Sequence, residues 1–221
     1  MKTLLMLDNQ KEELILFLGG WGMDPNPFRH LQCELYDVCM VYDYHSPNFR
    51  LELPKQYKKI HLIAWSMGVW VASRLKQQNQ LNFDSAIAIN GTEQPIDDEY
   101  GIPIAIYNGT LEHFSDDNRK RFNRRMCNDS TTFRFFSAHN VERDSTYLRE
   151  ELQSLKDMVE CESPLQTEAI NWDKAIIASD DYIFPTTNLL HFWDGKTTVR
   201  EVTGGHYLFN QWEKWDSILK L

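Results

Sequence analysis

The chain has 221 residues, 42% hydrophobic and 25% charged, which suits one globular domain with a substantial core. Its formal net charge of −9 argues against nucleic-acid binding, no apolar run approaches the ~20 residues that span a bilayer, and Asp8 stops the short apolar start without a signal-type cleavage site, so no membrane association is expected. Cys33, Cys39, Cys127 and Cys161 show no paired or metal-binding spacing, so reduced thiols, a cytoplasmic location and no metal or cofactor are expected.

Residues 3–7 and 13–18 read as two strands joined by a polar turn. The second is a continuous apolar run that leads into Gly19-Gly20-Trp21-Gly22-Met23-Asp24. A glycine-rich loop at such a place leaves backbone N–H groups available to an oxyanion. Trp21 is the expected donor, and its indole is expected to wall a pocket. Residues 27–35 predict a helix and residues 36–43 a strand. Pro47 and Pro54 bracket an irregular link to a strand over 59–65.

That strand runs into Ala64-Trp65-Ser66-Met67-Gly68-Val69. A lone Ser between an apolar strand and a helical pattern, with small residues two places to either side, outlines a nucleophile elbow. Ala64 stands where the usual motif has Gly. Ser66 is the expected nucleophile, and the Met67 N–H is aimed where an oxyanion would form. A helix over 67–77 and a strand over 83–90 follow. Residues 101–107 read as a further β-like run, extending that strand or pairing nearby.

From residue 111 to residue 167 the pattern turns polar, basic and helical, with interspersed aromatic positions. Arg119, Lys120, Arg121, Arg124 and Arg125 lie together without an acid among them. A charge run is usually a solvated helix face. Its sign opposes that of the whole chain, however, so a docking surface for an acidic partner is the rival reading. The aromatic positions read as packing, or alternatively as the lining of an acyl tunnel.

Residues 174–181 read as a buried strand ending in two carboxylates, Asp180 and Asp181, before a helix opening at Asp181-Tyr182-Ile183-Phe184-Pro185. A β-like run over 197–202 precedes Thr203-Gly204-Gly205-His206, and a helix-like tail covers 207–221. The order Ser, Asp, His supplies a complete chemistry. A serine hydroxyl needs a base, a near-neutral histidine shuttles its proton, and a carboxylate orients that histidine. Asp181 is the expected acid, with Asp180 as the alternative. His30, His45, His61, His113, His139 and His191 lack such a loop context and read as surface or structural residues. Alternating strands and helices imply a mainly parallel sheet with helices on both faces.

These residues resemble the α/β-hydrolases, with a helical cap inserted before the acid strand. The implied division is a core of residues 1–110 and 168–221 and a cap of residues 111–167. More narrowly, Phe17-Leu18-Gly19-Gly20-Trp21-Gly22-Met23, Tyr42-Asp43-Tyr44, the Ala-Trp-Ser-Met-Gly elbow, Ile89-Asn90-Gly91-Thr92, Phe122-Asn123-Arg124-Arg125-Met126-Cys127 and Gly204-Gly205-His206 resemble the BioG-type pimeloyl-[acyl-carrier-protein] methyl ester esterases of biotin synthesis. The resemblance implies removal of a methyl ester from the far end of a carrier-bound pimeloyl chain. It assigns Ser66 as nucleophile, His206 as base and acid, Asp181 as the third member, and Trp21 and Met67 as oxyanion donors. The partner would be acyl carrier protein, docked on Arg119, Arg121, Arg124 and Arg125; a monomer is the expected state, although the sequence leaves the oligomeric state open. The rival readings are a general short-chain carboxylesterase, a thioesterase that frees the carrier, and a non-catalytic scaffold.

Overall fold

A computed structural model describes residues 1–48, 50–53, 55–79, 81–139, 141–161 and 169–221. Seven strands form one sheet: β1 (Lys2–Leu7), β2 (Glu13–Leu18), β3 (Asp37–Tyr42), β4 (Lys59–Trp65), β5 (Ser85–Ile89), β6 (Lys174–Ala178) and β7 (Thr198–Val202). Their order is β1-β3-β2-β4-β5-β6-β7. Only β1 runs antiparallel to its neighbour, through a register irregularity between Leu5 and Leu7. Leu14 through Leu18 are all fully buried. Successive strand residues face opposite sides, so both faces of the sheet are covered there, as a central parallel strand requires. The edge strand β7 shows no buried residue.

The helices are α1 (Met67–Asn79), α2 (Ile104–Glu112), α3 (Asp116–Cys127), α4 (Ser130–Ala138), α5 (Ser145–Glu160), α6 (Thr186–Trp193) and α7 (Trp215–Lys220). Four of them, α2 to α5, fall between β5 and β6. Their starts follow from local chemistry. Ser115, Asp129 and Asp144 each accept backbone N–H groups of the helix they open. Asp116 and Asp117 at the start of α3, and Arg124 and Arg125 at its end, match the helix dipole. Among the described residues, no helix is long and apolar enough to cross a membrane.

Three elements differ from the sequence reading. The helix expected over 27–35 is only a 3₁₀ turn at Asn26–Phe28. Beyond it, tertiary partners take the backbone groups: Gln32 donates to the Glu213 carbonyl and accepts from Trp215 N–H, while Asn9 Nδ2 bonds the Cys33 and Tyr36 carbonyls. The same exchange interrupts the expected tail helix, leaving a 3₁₀ turn at Phe209–Gln211 and the short α7. The β-like run over 101–107 is a strand nowhere; only Ile102 makes an isolated bridge, with Ile96, and α2 begins at Ile104. Pro103 starts that helix and Asp98 accepts the Ile104 N–H at 2.9 Å. Short apolar runs do not distinguish strand from helix by pattern. The expected division at residue 110 therefore falls inside α2, and the one at residue 167 lies outside the described residues.

Candidate active site

The register brings the carboxyl ends of the parallel strands to one edge, where open α/β sheets bind ligands. Leu18 pairs with Ala64, Trp65 with Ile89, and Ala178 with Val202. The loops that leave this edge after β2, β4, β6 and β7 carry the expected residues: Trp21, Ser66 with Met67, Asp181 and His206.

Ser66 joins β4 to α1 at φ +59°, in the left-handed region. A serine stays there only if its surroundings demand it. Its N–H donates to the Ile89 carbonyl at 2.9 Å, and its carbonyl accepts from Val69 at 3.0 Å. Close approach does the rest. A Cβ at Gly68 would stand 2.5 Å from the Leu18 carbonyl oxygen, and one at Gly91 would stand 2.3 Å from the Ser66 carbonyl oxygen. Glycine at both positions lets helix, strand and loop close around the hydroxyl.

Ser66 Oγ lies 2.9 Å from His206 Nε2, and His206 Nδ1 lies 2.6 Å from Asp181 Oδ2. The other Asp181 oxygen accepts the N–H groups of Ile183 (2.8 Å) and Phe184 (3.0 Å). The adjacent Asp180 is exposed and its carboxylate accepts from Ser179 Oγ. Of the two carboxylates, Asp181 is therefore the one on the histidine. Trp65 Nε1 and Asn90 Nδ2 both donate to the His206 carbonyl, at 3.0 and 2.9 Å, and Phe184 stacks parallel to the imidazole at 5.8 Å.

Asn90 carried no functional expectation in the sequence. Its Oδ1 accepts the Ala178 N–H at 2.7 Å, so this one side chain ties the ends of β5 and β6 to the histidine loop. Its φ of +44° and the following Gly91 mark a specialised turn after a strand, a signal present in the sequence. The histidine loop is also fixed to the end of α3, where Tyr207 N–H donates to the Met126 carbonyl at 3.1 Å.

The cleft over Ser66 is narrow, with a volume of about 30 Å³. Trp21, Met67 and His206 line it together with apolar groups of α2, α3 and α5, among them Ile106, Phe122 and Leu152. Met67 is the first residue of α1, so its N–H belongs to the turn that lacks intrahelical partners. The Trp21 indole packs edge-on against Phe114 and Phe122 and donates to the Leu148 carbonyl at 2.9 Å. Tyr107 also lines the cleft; burial holds its phenol well above the ordinary value, so it is neutral and donates to the Leu152 carbonyl. Burial likewise pushes the Cys127 thiol up to about 12. All four cysteines are free thiols.

A second, wider groove of about 390 Å³ shares Ile106, Thr110, Phe122 and Arg125 with this cleft and reaches His113, Asn118 and Arg121 between α2 and α3. Of the four expected docking arginines, Arg119, Arg121 and Arg125 line it and Arg124 does not. Arg121, Arg124 and Arg125 are exposed on α3. Arg119 is half-buried and donates to the carbonyls of Arg143 (3.0 Å) and Val141 (3.4 Å). The remaining histidines take other contacts: His61 meets Ser85 and Glu13, His30 the Phe209 carbonyl, His139 the Phe135 carbonyl, His45 Asp43, and His191 the ring of Tyr100, while His113 faces the groove.

A hydroxyl, an imidazole and a carboxylate in this sequence of contacts can perform acyl transfer. Comparison with known proteins narrows the family. The profile described as "Pimeloyl-ACP methyl esterase BioG" matches residues 1–218. The chain belongs to the BioG family. A crystal structure of BioG from Haemophilus influenzae superposes with a TM-score of 0.90 at 38% identity, over 98% of this chain and 99% of that one. An uncharacterized protein of H. influenzae is 38% identical over 212 residues, 96% of each chain. A Bacteroides fragilis protein named malonyl-[acyl-carrier protein] O-methyltransferase is 38% identical over 198 residues; this takes 89% of the BioG-family chain but 40% of the methyltransferase. Among more distant structures, an esterase from Exiguobacterium antarcticum has a TM-score of 0.63 at 16% identity, over 99% of this chain and 90% of that one. Such distant likeness carries the fold alone, and the fold is that of the α/β-hydrolases.

Proposed function

We propose that this protein is a serine carboxylesterase that hydrolyses the methyl ester of pimeloyl-[acyl-carrier-protein] methyl ester, giving methanol and the carrier-bound free acid, in biotin synthesis. The observation that carries this reading is the unbroken run of contacts from Ser66 Oγ through His206 to Asp181 beneath an apolar cleft, in a chain of the BioG family. Its B. fragilis relative, named for methylating a carrier-bound acid, contains a segment like this chain. An esterase that removes such a methyl group is the complementary activity.

Ser66 Oγ attacks the ester carbonyl carbon as His206 Nε2 takes its proton. Asp181 holds the Nδ1–H and stabilises the imidazolium. The N–H groups of Trp21 and Met67 receive the oxyanion. His206 returns the proton to the departing methoxide, and methanol leaves an acyl group on Ser66. Water, deprotonated by His206, then attacks the same carbonyl carbon, and the free carboxylate is released with Ser66 restored. No metal is needed for either half.

In this reading α2 to α5 are the cap. The methylene chain lies along Ile102, Ile106, Phe122 and Leu152, and the prosthetic arm follows the groove between α2 and α3 toward the carrier. The exposed cations Lys120, Arg121, Arg124 and Arg125 receive the acidic carrier, while Arg119 chiefly holds the cap together. The bond that is cut is set by how much chain the cleft and groove accommodate before the ester reaches Ser66.

The test is mass spectrometry of methyl-pimeloyl-[acyl carrier protein] incubated with the enzyme and with Ser66→Ala. Loss of one methyl group from the carrier-bound species, absent with the variant, is expected. Release of unacylated carrier would make the protein a thioesterase, and turnover of small esters alone would make it a general esterase.

A further inference from the structure

The loop that follows β2 is held from outside by side chains to which the reaction assigns no part. Tyr44 Oη donates to the Gly19 carbonyl at 2.9 Å. Trp21 Nε1 donates to the Leu148 carbonyl, and Gly22 N–H donates to Glu151 Oε2 at 3.2 Å. Arg143 Nη1 donates to the Met23 carbonyl at 3.1 Å, and Asp24 accepts the Glu142 N–H at 2.6 Å. All but the first of these partners belong to α5 or to the segment leading into it.

Glu151 is the centre of this clamp. Its side chain has no solvent exposure. One carboxylate oxygen accepts the Tyr44 N–H at 2.7 Å; the other accepts Gly22 N–H and Arg143 Nη1, the latter at 2.8 Å. Arg143 also faces Asp43 at 3.4 Å, and Asp43 pairs in turn with Lys2 (2.9 Å) and His45 (2.5 Å). Burial pushes the Glu151 carboxyl up, and the Arg143 charge opposes that push. Asp43, His45 and Glu151 are metal-ligand types within reach of one another. Lys2 and Arg143 already neutralise both carboxylates, however, so the cluster reads as an ion-pair clamp. A buried ion pair is a weak source of stability, and apolar residues of similar size often serve as well. What the carboxylate adds is direction, a fixed acceptor aimed at Gly22 N–H.

We propose that Glu151 is a positioning residue for the esterase reaction, holding the oxyanion loop from α5. The Trp21 N–H lies in the rigid peptide plane that joins Gly20 to Trp21, and the carbonyl of that plane accepts the Met23 N–H at 3.4 Å. Gly22 N–H on Glu151 fixes the next plane and the indole on Leu148 fixes the side chain, so rotation of the plane that carries the Trp21 N–H is confined. The inference rests on the serine-esterase reading with Trp21 as a donor. Loss of one oxyanion donor costs about 10²–10³ in kcat, and a loosened donor costs less.

A small soluble ester tests this, because it needs no carrier docking. Glu151→Ala is expected to lower kcat about 30-fold, less than complete loss of a donor, with KM changed less than about threefold. Glu151→Gln, which keeps one acceptor oxygen, is expected to lower kcat about tenfold, and it decides the matter if Glu151→Ala does not fold. Leu155→Ala removes a fully buried side chain of the same helix. It is expected to lower Tm and leave kcat within about twofold of wild type. Wild-type kcat in the Glu151 variants, or an equal kcat loss in Leu155→Ala, overturns the proposal. Turnover that Ser66→Ala abolishes but the Glu151 variants preserve overturns the clamp alone. Turnover unaffected by Ser66→Ala overturns the esterase reading and the clamp's role with it.

Discussion

Asp180 and Asp181 are neighbours in the chain with opposite surroundings. Asp181 is buried, accepts two backbone N–H groups on one oxygen and meets His206 with the other. Asp180 faces solvent beside Ser179. A histidine whose Nδ1 partner becomes an amide settles in the wrong tautomer, so Asp181→Asn is expected to lower kcat by about 10⁴, whereas Asp180→Asn stays near wild type. Steady-state kinetics of the two variants on one small ester checks this; equal losses would mean the two carboxylates act together. The sequence supplied the doublet but not the choice, because the choice depends on which oxygen the β6–α6 turn directs inward.

At the scale of elements, the elbow and α3 invite separate tests. The elbow needs α1 to pass within touching distance of the end of β2, and a methyl at Gly68 meets the Leu18 and Gly19 carbonyls at 2.5 and 2.7 Å. Backbone cannot yield as a flexible side chain does. Gly68→Ala is therefore expected to cost about 1–3 kcal/mol and lower Tm by roughly 2–12 °C, read by thermal denaturation. On α3, Arg121 and Arg124 are exposed, and Arg124 also lies over the Phe133 ring at 4.7 Å. Arg121→Glu with Arg124→Glu is expected to raise KM for the carrier-bound ester roughly tenfold at low salt and to leave a small ester unaffected. Equal loss on both substrates would indicate a damaged cap and dispose of the docking surface. The basic run was legible in the sequence. That Arg119 turns inward to the Arg143 and Val141 carbonyls was not, since it depends on where the segment before α5 returns.

For the molecule as a whole, acid stability follows from Asp37 at the start of β3. Burial would raise its pKa, but the Lys11 N–H, the Lys55 ammonium, the Tyr57 hydroxyl and the Asn9 N–H together hold the carboxyl below its ordinary value. A group whose folded pKa is depressed stabilises the fold above its unfolded pKa, and that stability is lost as pH falls through the folded value. Wild type should therefore lose stability from about pH 4 downward, and Asp37→Asn should lose less over that interval while being less stable at pH 7. Urea midpoints at pH 7 and pH 3 measure both slopes; parallel slopes would remove Asp37 from the account.

The sequence by itself determined the strands that are continuous apolar runs, the elbow, and the chain order of a serine, an aspartate doublet and a histidine. Each is a local pattern whose physical demand is met within a few residues: an apolar run must be buried, and a serine at a strand-to-helix turn needs small neighbours. Only the tertiary structure decided the rest. Residues 27–35 and 207–214 gave up their helical bonds to one another, and residues 101–107 became the approach to α2, because partners distant in sequence satisfied the backbone better than local bonds did. Asn90, Glu151 and Arg143 escaped the sequence reading for the same reason. Their importance lies in atoms they meet across the fold: Ala178 and His206 for Asn90, and the loop after β2 for the buried pair. A single chain's local pattern does not contain such meetings; the closing of the sheet edge and the return of α5 over it create them.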